Sequence, residues 1–211
     1  MNEEQAVMDF FAQAENLPLG LAVAEQMDTL REQINNRFWR ELLSCLKVLI
    51  NEYGLAWRIE LTEGSNSPDN LVGLYCLGSA EQPLYLRPMM EQQFLGGVWR
   101  IYFGLMWSAA PTPDQLRLPA ISSLKASLQQ AGFKNNASFL GWQWTNFHPR
   151  RKDFLLRFAQ QPEKSLADVE MIFRSLLIAH REAVEQANAA LASAPHNLAA
   201  SLNRLRDELI D

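Results

Sequence analysis

Apolar residues step through the first quarter of the chain at helical intervals. Val7, Phe10, Phe11 and Ala14 share one face of a short helix predicted over residues 3–14. Asn16, Leu17 and Pro18 interrupt it, and Pro18 suits the first turn of a new helix. From there Val23, Met27, Leu30, Ile34, Phe38, Leu42, Cys45, Leu49 and Tyr53 follow in steps of three or four, and Gly54 closes the pattern. This predicts one helix over about residues 18–53, with the Val23–Leu49 stripe buried almost throughout. Such a helix outruns any sheet it could cover. The part that runs through Val23, Met27, Leu30 and Ile34 is therefore expected to pack on another helix or another chain.

The period then changes to two. In LAWRIELT, Leu55, Trp57, Ile59 and Leu61 alternate with Ala56, Arg58, Glu60 and Thr62, the pattern of a half-buried strand. EGSNSPDN, residues 63–70, has a loop composition. LVGLYCLG is apolar on both faces and suits a central strand. LYLRP is short, and Pro88 is expected to end it or to place it at an edge. The adjacent methionines Met89 and Met90 are expected to fill core or turn. Past Gly96 and Gly97, VWRIYFGLMWS points Trp99, Ile101, Phe103, Leu105 and Trp107 one way, towards the core.

PTPDQLRLP breaks the chain, and a helix starts at about Pro119, with Ile121, Leu124 and Leu128 in register and Gly132 past its end. FLGWQW reads as a fifth strand, and PRRKDFLLRFA starts a short helix after Pro149. Ser165 and Asp168 form a capping-box variant that is expected to open a helix through Leu166, Val169, Phe173, Leu176, Leu177, His180, Val184 and Leu191. Leu198, Leu202, Leu205 and Leu209 mark a last helix or a frayed tail. The order of elements predicts an α+β fold: a mainly antiparallel sheet of about five strands, flanked by a long N-terminal helix and C-terminal helices. The expected division is a helical segment at 1–54, an α+β core at 55–194, and a helix or tail at 195–211.

Apolar residues make up 48% of the 211, enough for a sizeable core. The net charge of −5 argues against a general nucleic-acid binder, which needs a basic surface, although a local basic patch stays open. Cys45 and Cys76 sit among apolar neighbours and read as buried thiols in a reducing compartment. The acidic start lacks the pattern of a signal peptide, and no apolar run is long enough to span a bilayer, so the expected location is the cytoplasm, with no membrane partner. His148, His180 and His196 have no ligand-like spacing with the cysteines, and no metal site is expected. There is no phosphate loop, no nucleophile elbow, and no acid-x-Lys pair on a strand after Pro68-Asp69. No catalytic residue and no cofactor are assigned, and the chain is expected to be a non-enzyme.

LREQINNRFWRELLSCL, residues 30–46, resembles the long helix that follows the nuclease core in some bacterial PD-(D/E)XK-like proteins. GLYCLG, WRIYFGLMW and GWQWTNF resemble the aromatic-rich strands after that helix. The resemblance covers about residues 18–190 and leaves out the catalytic half. It implies a stand-alone relative of the C-terminal accessory region of such nucleases, with no catalytic residue to carry over.

One stretch holds candidate binding residues. In FLGWQWTNFHPRR and the lysine after it, aromatics precede three consecutive cations, Arg150, Arg151 and Lys152. In one reading Leu140, Trp142 and Trp144 join the core beside Trp99 and Trp107, and the cations are solvated surface contributing little to stability. In the other, Phe147 and His148 leave the sheet and join the cations to hold a nucleic-acid strand or an acidic protein. The expected function is a non-catalytic protein-interaction or oligomerisation module that uses the long helix. A nucleic-acid-binding accessory domain is the alternative.

Overall fold

The computed structural model describes residues 2–62, 72–79 and 81–194; the loop and tail expected at 63–70 and 195–211 lie outside them. Helix α1 (Glu3–Phe11) is capped by Asn2 and followed by the 36-residue α2 (Leu17–Glu52), with Pro18 in its first turn. Strands β1 (Arg58–Leu61), β2 (Val72–Leu77), β3 (Leu86–Leu95) and β4 (Val98–Trp107) form an antiparallel meander. Two short helices, α3 (Pro113–Leu116) and α4 (Pro119–Gln130), lead to β5 (Phe139–Trp144), which pairs antiparallel with β4. Helices α5 (Lys152–Gln160), α6 (Pro162–Arg174) and α7 (Arg181–Ala192) follow. The fold is α+β, as the order of elements predicts.

Three local expectations change. Pro88 does not end a strand: it lies inside β3, opposite Leu105. The ladder between β3 and β2 covers only Met89 to Gln92, so the proline stands just past its end. The β3–β4 connection is a two-residue turn with Gly96 at φ 58° and Gly97 at φ 80°, the left-handed pair that matches the twist of a tight hairpin. The C-terminal helix opens at Pro162 rather than at Ser165, which is buried inside α6, and it does not run straight to Leu191. A π-helical turn over Ser175–Ala179 separates α6 from α7.

The main core lies between one face of the sheet and the helices. Ile101, Phe103, Leu105 and Trp107 of β4 point into it, as alternation requires, with Leu74, Met90 and Leu140 beside them. Helix α2 contributes Phe38, Trp39, Leu42, Leu46, Leu49 and Ile50. Trp39 also donates its indole N–H to Gln92 Oε1 at 2.7 Å, tying the helix to the middle of β3. A smaller cluster on the other face joins Met89, Tyr102, Met106, Phe139 and Trp142. Met89 and Met90 are both fully buried, one on each face.

Trp142 and Trp144 do not join Trp99 and Trp107. A register shift at Leu105/Met106 puts Gly141 opposite Leu105 but Phe139 opposite Met106. The bulge lets Leu140 enter the helix-side core while Phe139, Trp142 and Trp144 pack on the far face with Tyr102. Their rings meet edge-on, at 5.7 Å between the two tryptophans and 5.5 Å from Tyr102 to Trp144.

The stripe on α2 is only partly buried. Phe38, Leu42 and Leu49 are buried, but Cys45 between them is half-buried rather than the buried thiol expected, Val23 is 44% and Leu30 is 47% exposed, and Met27 and Ile34 are half-buried. The nine stripe residues advance 30 positions in eight steps. On a helix of 3.6 residues per turn that is a drift of about 120° around the axis, so the two ends of the stripe face different directions. Buried residues of α2 begin at Asn35. Ile34 packs at the edge of the core, and the 17 residues before it project about 25 Å beyond, at 1.5 Å per residue.

Candidate functional site

Two regions compete as the functional surface. The first is the stretch that ends β5. Beyond Trp144 the chain stays tied to β4: Thr145 N–H and Oγ1–H both donate to Ile101 O, and Ile101 N–H donates to Phe147 O. Phe147 is half-buried and packs edge-on against Phe154 at 6.2 Å, with the Arg157 guanidinium 5.7 Å from its ring. His148 is half-buried, its Nδ1 3.1 Å from Trp99 O. Neither residue projects into solvent as the sequence suggests, because backbone pairing with β4 continues past the end of the strand.

The cations divide. Arg150 is half-buried, with its guanidinium 5.1 Å from the Trp99 ring centre. It is a lid on a core tryptophan rather than a free charge. Arg151 and Lys152 are exposed, and Arg151 pairs with Asp153 at 3.3 Å. Other arginines are engaged as well. Arg58 pairs with Glu60 at 3.3 Å and Arg157 with Asp168 at 3.5 Å. Arg100 donates to Thr145 O and lies over Trp144. Carboxylates and carbonyls thus interrupt the positive strip that a phosphate backbone needs.

Arg150→Ala should cost about 0.5–2 kcal/mol, because it removes a partly desolvated cation–π contact and the stem that shields Trp99. Arg151→Ala and Lys152→Ala should each stay within about 0.5 kcal/mol, as surface changes do. Chemical denaturation of the three single variants measures this difference.

The second region is the projecting hairpin of α1 and α2. Phe11 packs on Gly20, where an added Cβ would come within 2.9 Å of its ring, so the glycine permits the close crossing. Among the described residues, eight of the fifteen large apolar side chains left exposed fall between Val7 and Leu30, which makes this hairpin the main apolar surface. Val7, Met8 and Phe10 contribute from α1; Leu17, Leu19, Leu21, Val23 and Leu30 contribute from α2. A shallow groove of about 320 Å³ follows Val23, Gln26, Met27, Thr29, Leu30 and Gln33. Helical spacing marks Val23, Met27, Leu30 and Ile34 in the sequence; it does not mark Leu17, Leu19 or Leu21, which lie before that stripe.

Titratable groups elsewhere have structural surroundings. Burial pushes the Cys76 thiol far above its ordinary range, and Cys45 is raised by burial and by the charges of Glu170 and Glu41. Neither holds the thiolate that nucleophilic chemistry requires. A groove of about 590 Å³ beside Trp57 and α7 contains Arg181 and Glu185, which pair with each other at 3.0 Å. Tyr53, at the C-terminal end of α2, is held by two arginines that flank the π-helical turn. Arg181 donates to its carbonyl at 2.9 Å, and the Arg174 guanidinium stands 5.7 Å from its ring.

His180, between the π-turn and α7, meets Phe133 edge-on, and burial lowers its pKa below the ordinary histidine range. With the folded value depressed, the unfolded chain binds more protons as pH falls through about 6.5. The histidine's contribution is therefore complete above that pH and is lost on acidification. His180→Gln should flatten the fall in stability between neutral and mildly acidic pH, as read by denaturant titrations across that window.

Comparisons with protein-family models, with curated proteins and with solved structures found no match for this chain. No helix among the described residues is long and apolar enough to cross a membrane.

Proposed function

We propose that this chain is a non-catalytic interaction module whose docking surface is the α1–α2 hairpin. It acts as an accessory subunit rather than as an enzyme in its own right. The observation that carries this reading is the concentration of exposed apolar side chains on a helical arm that extends past the core. Monomeric proteins keep large apolar patches few, and patches of this kind mark sites that another molecule covers. Removing that surface from water on docking supplies the driving force, and the rest of the fold serves as a platform that orients the arm.

The nucleic-acid alternative has less support. Arg58, Arg151 and Arg157 are paired with acids, and Arg150 is committed to Trp99. Affinity capture from the native cell tests the two readings together. The bait is the wild-type chain, a Val23→Glu/Leu30→Glu variant, and an Arg151→Ala/Lys152→Ala variant. A protein retained by the wild type and the second variant but lost from the first supports the hairpin. Loss confined to the second variant, with nucleic acid recovered on the wild type, would overturn it.

A further inference from the structure

We infer that the molecule docked on the hairpin is a second copy of the same chain, paired antiparallel along the stripe from Leu19 to Ile34. This rests on the reading of the hairpin as the interaction surface. The spacing is self-complementary. Leu19, Val23, Met27, Leu30 and Ile34 advance by four, four, three and four. A two-fold axis between Gln26 and Met27 sets Leu19 opposite Ile34 and Val23 opposite Leu30, and brings the two Met27 side chains together. Such an isologous contact closes on itself and leaves no unpaired copy of the stripe, while Leu17 and Leu21 lie outside it on the helix.

The polar residues are arranged for the same partner. At about 100° per residue, Gln26, Thr29 and Gln33 flank one side of the stripe, and Gly20 and Ala24 flank the other. Glu25, Asp28 and Glu32 centre about 170° away, on the back of the helix. Arg31 also falls on the flank of Gly20 and Ala24, where it pairs with Asp28 at 3.0 Å, so the stripe itself is uncharged and the carboxylates of the two copies stay on the outside. A surface made for a basic partner helix would instead carry acids along its rim. Since α1 packs at Gly20, each copy presents two helices, with Val7, Met8 and Phe10 extending the apolar face. Two copies complete a four-helix bundle, the arrangement in which paired helical hairpins bury such faces.

Charge gives the pairing a signature. Seven of the 24 acidic residues and one of the 19 basic residues fall within residues 1–33, so this segment carries −6 while the remainder nets +1. Two such arms repel each other at long range, and salt screens that repulsion. Self-association should therefore tighten as salt rises, whereas docking on a basic partner would weaken.

Sedimentation equilibrium on the full chain at micromolar concentration, in low and high salt, reads the result. The expected outcome is a dimer that is tighter in high salt. Val23→Glu/Leu30→Glu should weaken it by about 100-fold or more, since charges would be buried in the seam. Its circular dichroism should match the wild type, and so should its melting curve at concentrations below the dissociation constant of the dimer, because both positions are exposed in the single chain. Cysteine trapping on a Cys45→Ser background fixes the direction. An equal mixture of Val23→Cys and Leu30→Cys chains should form an interchain disulfide on mild oxidation, and Val23→Cys alone should not. A monomer under all conditions, a dimer indifferent to the double Glu variant, or cross-linking by Val23→Cys alone would each overturn the inference. A monomeric chain whose double Glu variant loses a captured heterologous protein would leave the interaction module standing and remove only the second copy. Failure of both readouts would remove both.

Discussion

Replacing Phe103 with alanine should lower the unfolding free energy by about 3–5 kcal/mol, the range for deleting a large aromatic from a packed core. Phe103 is 4% exposed and lies near the middle of β4, opposite Met90 on one side and Gln143 on the other. Its ring meets Phe133 edge-on at 5.4 Å, and Phe133 in turn meets His180. The substitution therefore opens a cavity where the sheet, the end of α4 and the π-helical turn converge. Backbone pairing on both sides of β4 prevents the strand from collapsing into the space, which places the expected cost high in the range. For a chain of this size each kcal/mol moves the melting temperature by about 2–4 °C. A fall of roughly 10 °C in a thermal melt is the expected reading. A loss under about 1 kcal/mol would mean that this face of the sheet is not the core.

Asn188→Ala should be nearly as damaging, at about 2–4 kcal/mol, for a different reason. The Asn188 side-chain oxygen accepts from Tyr85 N–H at 2.6 Å and Leu86 N–H at 2.9 Å. Its amide donates to Leu86 O at 3.1 Å and to Val184 O at 2.9 Å. One side chain thus joins α7 to the start of β3, where the chain enters the strand without a neighbouring ladder on that side. Alanine leaves backbone donors and an acceptor at a buried position, and each orphaned group costs about 1–3 kcal/mol where water cannot reach it. Asn188→Asp keeps the acceptor and, where acid protonates the buried carboxyl, a donor towards the Leu86 and Val184 carbonyls, so it should fall between wild type and alanine at mildly acidic pH and lose that advantage as the carboxyl ionises. Equilibrium denaturation of the two variants reads this order directly. Equal losses would show that the oxygen is not the group that matters.

Much of this fold was legible in the sequence because its signals are local. Alternation over Trp99–Trp107 placed β4 and its buried face, since successive side chains of a strand must point to opposite sides. Gly96-Gly97, Pro18 and Pro119 marked a hairpin and two helix starts, because those residues restrict or free the backbone whatever surrounds them. The apolar stripe on α2 fixed the helix, and an unbroken run without a glycine or proline between Gly20 and Gly54 fixed its length.

What tertiary structure alone decided depends on where neighbours end. The sequence pattern gave α2 one continuous stripe, but the helical and sheet layers reach only as far as Asn35, so the same kind of side chain is buried at Phe38 and exposed at Leu30. Periodicity states which residues share a face; it carries no record of whether a second layer covers that face. One bulged residue in β5 moved Trp142 and Trp144 to the other side of the sheet, because alternation inverts wherever an extra residue enters a ladder. Arg150 looked like a surface cation until the chain brought Trp99, 51 positions earlier, beneath it. Asn188 carried no local signal at all: its partners Tyr85 and Leu86 lie about a hundred residues away, and only packing of α7 against β3 gives its amide a task.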